Sequence, residues 1–299
     1  MSFSPPPAFA AVGPAIWGTT YITTTELLPP GRPLLAGLLR ALPAGLLLLA
    51  IGRELPRGRW IARALALGTL NIGLFFALLF LAAERLPGGV AATIGAMQPL
   101  LIAGLAWPLL REAPGRVRIV AAVVGAAGVS VLVLRSDAAL DPVGLLAALG
   151  ATLSMTMGTL LTKRWGRPAG LLSFTAWQLL AGTLVLLPAA LIVEGVPGHL
   201  TGENLAGFAY LTLVGTTLAY VLWFWGVGRL PASAASLLPL LSPVVALVVG
   251  ITLSGESLSA AQVAGAVLVL GAVVAGLMPE RPGAARAGRR RRLAAATPR

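Results

Sequence analysis

Cysteine is absent from the chain, which removes disulfide scaffolds, thiolate metal sites and cysteine nucleophiles together. Histidine is nearly absent. The one copy, His199, sits in a polar stretch beside Gly198 and close to Thr201, so a histidine metal cluster or a histidine-based triad is excluded as well. No catalytic residue, metal site or cofactor is expected. Charge is also scarce, because Asp, Glu, Lys and Arg make up only 11% of the 299 residues, against roughly 25% in soluble domains. What fills the chain instead is apolar, at 57%. A soluble fold could not hide so much apolar side chain, so the solvent is lipid.

The formal net charge of +12 does not point to nucleic acid. The basic residues lie in short loops and in the tail, at Arg286, Arg289, Arg290, Arg291, Arg292 and Arg299, as membrane proteins distribute them. The opening MSFSPPPAFA has no basic region before its apolar run, so no cleaved signal peptide is expected.

A transmembrane span needs about 20 mainly apolar residues. The segments 9–28, 33–52, 62–83, 88–110, 117–134, 142–162, 171–193, 205–228, 232–253 and 258–278 meet that requirement. Proline, glycine and charge mark the breaks between them, and Ser259 with Gln262 reads as a capping box opening the last helix. With both termini placed in the cytoplasm, every basic residue except Arg32, Arg40, Arg85 and Arg135 falls on the inner side. The acids Glu26, Glu84, Asp137, Asp141, Glu194, Glu203 and Glu256 then fall outside.

The chain also repeats itself. Arg85-Leu86-Pro87 returns as Arg229-Leu230-Pro231, 144 positions on (229 − 85), and the same offset relates Pro99 to Pro243 and Glu112 to Glu256. Leu74, Leu78 and Phe80 likewise match Leu218, Leu222 and Phe224. More faintly, Gly18-Thr19 matches Gly158-Thr159, and Arg40 falls opposite Gln178. Internal repeats set the architecture. Five spans per repeat is an odd number, so the second copy enters the membrane from the opposite side. The expected fold is therefore all-α and integral to the membrane, with ten transmembrane helices as two five-helix inverted-topology repeats around a central cavity. Residues 9–134 form the first repeat, 142–278 the second, and 279–299 a basic cytoplasmic tail expected to be disordered.

Five features together resemble the EamA-type branch of the drug/metabolite transporter superfamily. They are the repeat, the five-plus-five spans, Trp17-Gly18-Thr19-Thr20-Tyr21 in the first span, Arg-Leu-Pro between the third and fourth spans of each half, and Glu112/Glu256 after the fourth. The resemblance covers about residues 12–278. It implies a multi-pass carrier of the bacterial inner membrane with no cofactor. Within the superfamily the chain is most similar to bacterial exporters of aromatic and other neutral amino acids. An exporter of drugs or organic cations, paraquat-like, is the alternative in the same superfamily.

Within this frame the candidate cavity residues are the aromatic and polar side chains of the first and third spans: Trp17, Tyr21, Asn71, Phe75, Phe76, Thr156, Tyr220 and Trp223. A ring-lined cavity with a few polar groups suits an amphiphilic guest, while interfacial or lipid-facing placement is the alternative for each ring. Pro99 and Pro243 break the fourth span of each half and leave the carbonyls of Gly95 and Pro239 without helical partners, beside Gln98 and Ser242. These breaks either line the cavity and bind a polar head group or serve only helix packing.

Arg40 is the only charge well inside a span. It either holds a substrate carboxylate or snorkels outward and pairs with Glu26 or Glu84. Glu112 and Glu256 sit at span ends, where capping or loop pairing is the expected role. No carboxylate lies mid-span, which points away from proton coupling. Other expected partners are the bilayer itself and anionic lipid at the cytoplasmic face, which the tail arginines attract at about 1 kcal/mol each. The small-residue pairs Ala121/Gly125 and Gly271/Ala275 suggest close packing within one chain, consistent with a monomer.

Overall fold

The computed structural model describes residues 5–86, 88–133, 141–195, 199–254 and 259–278, and these are all helix and short connections. The helices are α1 (Pro5–Leu27), α2 (Pro33–Gly52), α3 (Arg59–Ala83), α4 (Val90–Leu110) and α5 (Arg116–Val133), followed by α6 (Pro142–Trp165), α7 (Leu171–Val193), α8 (Gly202–Val227), α9 (Ala232–Thr252) and α10 (Ala260–Leu277). Among the described residues nine helices, α2 to α10, are long and apolar enough to cross a membrane. Helix α1 has 23 residues, about 35 Å at the usual rise, but its threonines dilute its apolar character. The tail 279–299, Glu256 and the side chain of Tyr21 lie outside the described residues.

Local chemistry sets the helix ends. Asp141 accepts a hydrogen bond from the Gly144 amide (2.7 Å) at the start of α6. Thr201 and Asn204 form a capping box at the start of α8, and Ser259 and Gln262 form the expected one at α10. Two further caps are reciprocal. Glu194, just after α7, takes the amides of Leu34 (2.6 Å) and Leu35 (2.8 Å) at the start of α2. Glu54, just after α2, takes the amide of Gly170 (3.0 Å) at the start of α7. A carboxylate is favourable at a helix N-terminus because the free amides and the dipole both face it.

The register of contacts gives the helix directions. Along α5 and α10, Ala121 lies by Gly276, Gly125 by Ala272, Gly128 by Leu268 and Leu132 by Gly265, so the two helices run antiparallel. Along α2 and α7, Gly37 lies by Leu186, Gly45 by Leu180 and Gly52 by Ser173, again antiparallel. Small residues at these crossings let the backbones approach closely, which is how helices associate where lipid removes the hydrophobic drive. Helix α1 leaves its sequence neighbours and packs on α8 and α9, while α6 packs on α3 and α4.

Two helices depart from α geometry at matching places. Residues Thr69–Gly73 of α3 and Leu213–Leu218 of α8 are π-helical. A π-turn shifts the backbone pairing by one residue and is frequent at functional sites. In α3 the Leu74 amide reaches back to Thr69, skipping Leu70, and the Leu70 carbonyl accepts instead from Ser154 Oγ of α6 (2.8 Å). In α8 the Ala219 amide bonds to Val214 and Thr216, skipping Gly215. Helices α4 and α9 are interrupted before their prolines, at Ala96–Met97 and across 236–240.

Candidate functional site

The Gly215 carbonyl, passed over by its own helix, is the centre of one polar cluster. Arg40 of α2 donates to it through Nη2 (2.7 Å) and to Thr216 Oγ1 through Nε (2.8 Å). Trp17 of α1 donates to the same carbonyl through Nε1 (3.2 Å). Arg40 is 5% exposed, so it does not snorkel. It does not pair with Glu26, and the side chain of Glu84 lies outside the described residues: the ion pairs among the described residues are Arg85–Asp141 and Lys163–Glu112. Its guanidinium stands 5.5 Å from the centre of the Phe76 ring, within cation–π range. Trp17 packs on Tyr220 (5.0 Å between ring centres) and on Trp223 (5.7 Å), and Tyr220 packs on Phe224 (5.9 Å). The sequence-derived residues Trp17, Arg40, Phe76, Tyr220 and Trp223 thus come together, and Phe75 adjoins them through Phe76 (5.6 Å).

A second cluster forms at the other π-turn. Asn71 of α3 donates through Nδ2 to Gln178 Oε1 of α7 (2.7 Å) and to Thr162 Oγ1 of α6 (3.2 Å). Asn71 Oδ1 and Gln178 Nε2 are buried without protein partners. The two clusters mirror each other: a polar side chain of α2 meets the π-turn of α8, and one of α7 meets the π-turn of α3. Arg40 does this in one direction and Gln178 in the other. The sequence offers Arg40 and Gln178 as counterparts, but it does not signal Thr162 or the freed Gly215 carbonyl. Carrying the offset of the third helices through to Asn71 and Gly215 is the one signal that would have found the second.

The remaining candidates are more scattered. Thr156 is buried and directs its hydroxyl to Thr152 O (2.7 Å) in its own helix. Gln98 is buried at the α4 break with Nε2 unpartnered, and Pro99 follows it in the first turn of the restarted helix. Gly95 is exposed, with no atom near where a Cβ would stand. At the α9 break Pro239 lies half-buried in the short 3-10 turn Leu238–Leu240, where the Leu240 amide reaches back to the Leu237 carbonyl (3.2 Å). Ser242 Oγ, just before Pro243, donates to the Pro14 carbonyl of α1 (2.7 Å), tying α9 to α1.

A cleft of about 700 Å3 opens on the side of the arginine-rich loops. Lys163, Arg164, Arg167 and Arg229 line its mouth, and Thr162 and Phe224 lie deeper in its wall. Arg229 stacks on Trp225 (4.2 Å). Lys163 donates to Leu230 O (2.6 Å) and faces Glu112 (3.5 Å), whose other oxygen accepts the Ala232 amide (2.9 Å) at the start of α9. Glu112 is therefore a cap, as its place at a span end suggests. Phe224 links the cleft wall to Tyr220 and so to the Arg40 cluster.

Among the described residues, nine long apolar helices with polar groups buried between them mark a multi-pass membrane protein. The chain belongs to the EamA-like transporter family, whose model matches it twice, over residues 7–134 and 142–277. Its task is therefore transport and not catalysis. It is 47% identical over 268 residues to protein PecM of Dickeya dadantii, covering 89% of this chain and 90% of that one. It is 30% identical to the uncharacterized transporter YwfM of Bacillus subtilis, with 91% and 94% covered. Against the uncharacterized inner membrane transporter YedA of Escherichia coli K12 the identity is 26%, with 82% and 81% covered. A solved crystal structure superposes with a TM-score of 0.78 at 19% identity, over 92% of this chain and 98% of that one, a likeness of fold.

Proposed function

We propose that the chain is an inner-membrane carrier that exports small amphiphilic metabolites, foremost neutral and aromatic amino acids, by alternating access. In this reading ten helices form two inverted repeats, 9–134 and 142–278, with both termini in the cytoplasm and the guest at the seam between the repeats. The chain works as a monomer. The antiparallel course of α2 against α7 and of α5 against α10, helices at equivalent places in the two repeats, supports the inversion.

The observation that carries the functional reading is the contact between the basic cleft and the buried rings. Phe224 lines the cleft and packs on Tyr220, which lies with Trp223 against Trp17, where apolar surface and a few polar groups meet. Such a lining matches a guest with one apolar body and one polar end. Among the described residues no buried carboxylate is present to attract an organic cation, which favours amino acids over cationic drugs. The same lack supports export down the substrate's own gradient, without a proton.

Reconstituted protein should show saturable counterflow of labelled tryptophan, phenylalanine or leucine with no imposed pH difference. Flux that rises linearly with concentration would indicate a channel instead. Absence of counterflow across a full panel of neutral amino acids would overturn the substrate assignment.

A further inference from the structure

Arg40 is the only charged residue among the buried polar side chains of the described residues, and no described carboxylate balances it. An ion held away from water is strongly unfavourable unless something neutralises it. Its two hydrogen bonds, to Gly215 O and Thr216 Oγ1, are to neutral groups and leave Nη1 without a bond among the described residues. Tying α2 to the π-turn of α8 does not itself demand a charge. At the corresponding place in the other repeat, Gln178 makes the equivalent tie to Asn71 with a neutral amide. The positive charge at residue 40 is left over once the tie is explained.

Two buried polar atoms in the same cluster lack partners among the described residues. Thr20 Oγ1 faces the Gly215 backbone, as the Arg40 guanidinium does, and is unpaired. Trp223 is fully buried, and its Nε1 is unpaired although its ring lies against Trp17. An orphaned buried donor is costly in a native interior unless a ligand or another group completes it. Uncompleted donors packed in the same cluster as one uncompensated cation suit an anion as the missing partner. A single guanidinium balances a single negative charge, and among the described residues no second buried cation stands by for a dianionic phosphate. The planar fork also matches a carboxylate oxygen for oxygen.

We propose that Arg40, with Thr20 and Trp223, forms the subsite for the carboxylate of the transported molecule, while Trp17, Tyr220 and Phe76 enclose its apolar body. The inference rests on the carrier reading for the word "transported", but the recognition chemistry is independent of it. It selects monocarboxylates over the amines that share their apolar part.

The test compares acid and amine partners on the purified wild-type protein: tryptophan with tryptamine, phenylalanine with phenethylamine, and leucine with isoamylamine. The acids should raise the melting temperature in detergent at concentrations at least tenfold below any effect of the amines. Arg40→Gln, which keeps a hydrogen-bonding amide like that of Gln178, should melt near the parent temperature and lose the preference. Equal shifts for acid and amine, or no shift with any carboxylate, would overturn the subsite even if Arg40→Gln failed to fold. Counterflow of the same compounds separates the two claims. A carboxylate preference in binding with no saturable flux would leave the subsite standing and remove the carrier reading. Flux that ignores the carboxylate would do the reverse.

Discussion

Gly182 on α7 sits where α3 crosses it. A methyl group there would stand 2.5 Å from Ile72 Cβ and 3.0 Å from the Gly68 carbonyl, so the two backbones would have to part. Gly182→Ala should cost about 1–3 kcal/mol, in the usual range for overpacking, and lower the melting temperature in detergent. Gly104→Ala, at a position with open space around it, serves as the control and should not. Individual residues were partly legible from sequence. Arg40, Asn71 and Trp17 stand out because each is polar or amphipathic within an apolar run. Their partners do not stand out. Glu26 and Glu84 look like natural mates for Arg40 along the chain, but distance along the chain says nothing of α8, which supplies Gly215 and Thr216 instead. The donation from Ser242 to Pro14 is hidden for the same reason.

The reciprocal caps make a distinct prediction for whole helices. Removing the Glu194 carboxylate exposes the Leu34 and Leu35 amides at the start of α2. Glu194→Ala should therefore cost roughly 0.5–2 kcal/mol, as loss of an N-cap does, and Glu54→Ala less, because it caps only the Gly170 amide. Thermal unfolding of the two variants side by side checks the order; the reverse order would mean that the amides are satisfied in some other way. Helix ends were readable where they carry proline, glycine or a capping box, as at Ser259. The π-turns were not. Neither TLNIG nor LVGTTL breaks the apolar pattern, because one extra backbone residue per turn leaves no compositional mark. Proline did mark the interruptions of α4 and α9, although the breaks fall a few residues earlier than the prolines themselves.

For the whole molecule, the lack of native cysteine makes single-cysteine labelling clean. The proposed inversion places the exposed positions 57 and 164, before α3 and at the end of α6, on the cytoplasmic side. Arg57→Cys and Arg164→Cys should each react with a membrane-impermeant maleimide only after the cells are opened. Labelling of either one in intact cells would break the proposed topology. The apolar segments themselves were legible from sequence, since crossing a bilayer demands long apolar runs. How the halves interlock was not legible, because the faces that meet in the bilayer are as apolar as those that meet lipid.

That interlocking constrains how the protein is made. Helix α1 rests on α8 and α9, near the far end of the chain. Helix α1 thus leaves the ribosome well before its permanent neighbours exist. Until they emerge, the hydroxyl of Thr19 and the indole of Trp17, which α8 later engages, have only lipid headgroups, the insertion machinery or their own backbone to turn to. A nascent chain halted after α5 would lack both helices on which α1 comes to rest. Two fragments divided between residues 133 and 141 should accordingly survive in the cell only when synthesised together.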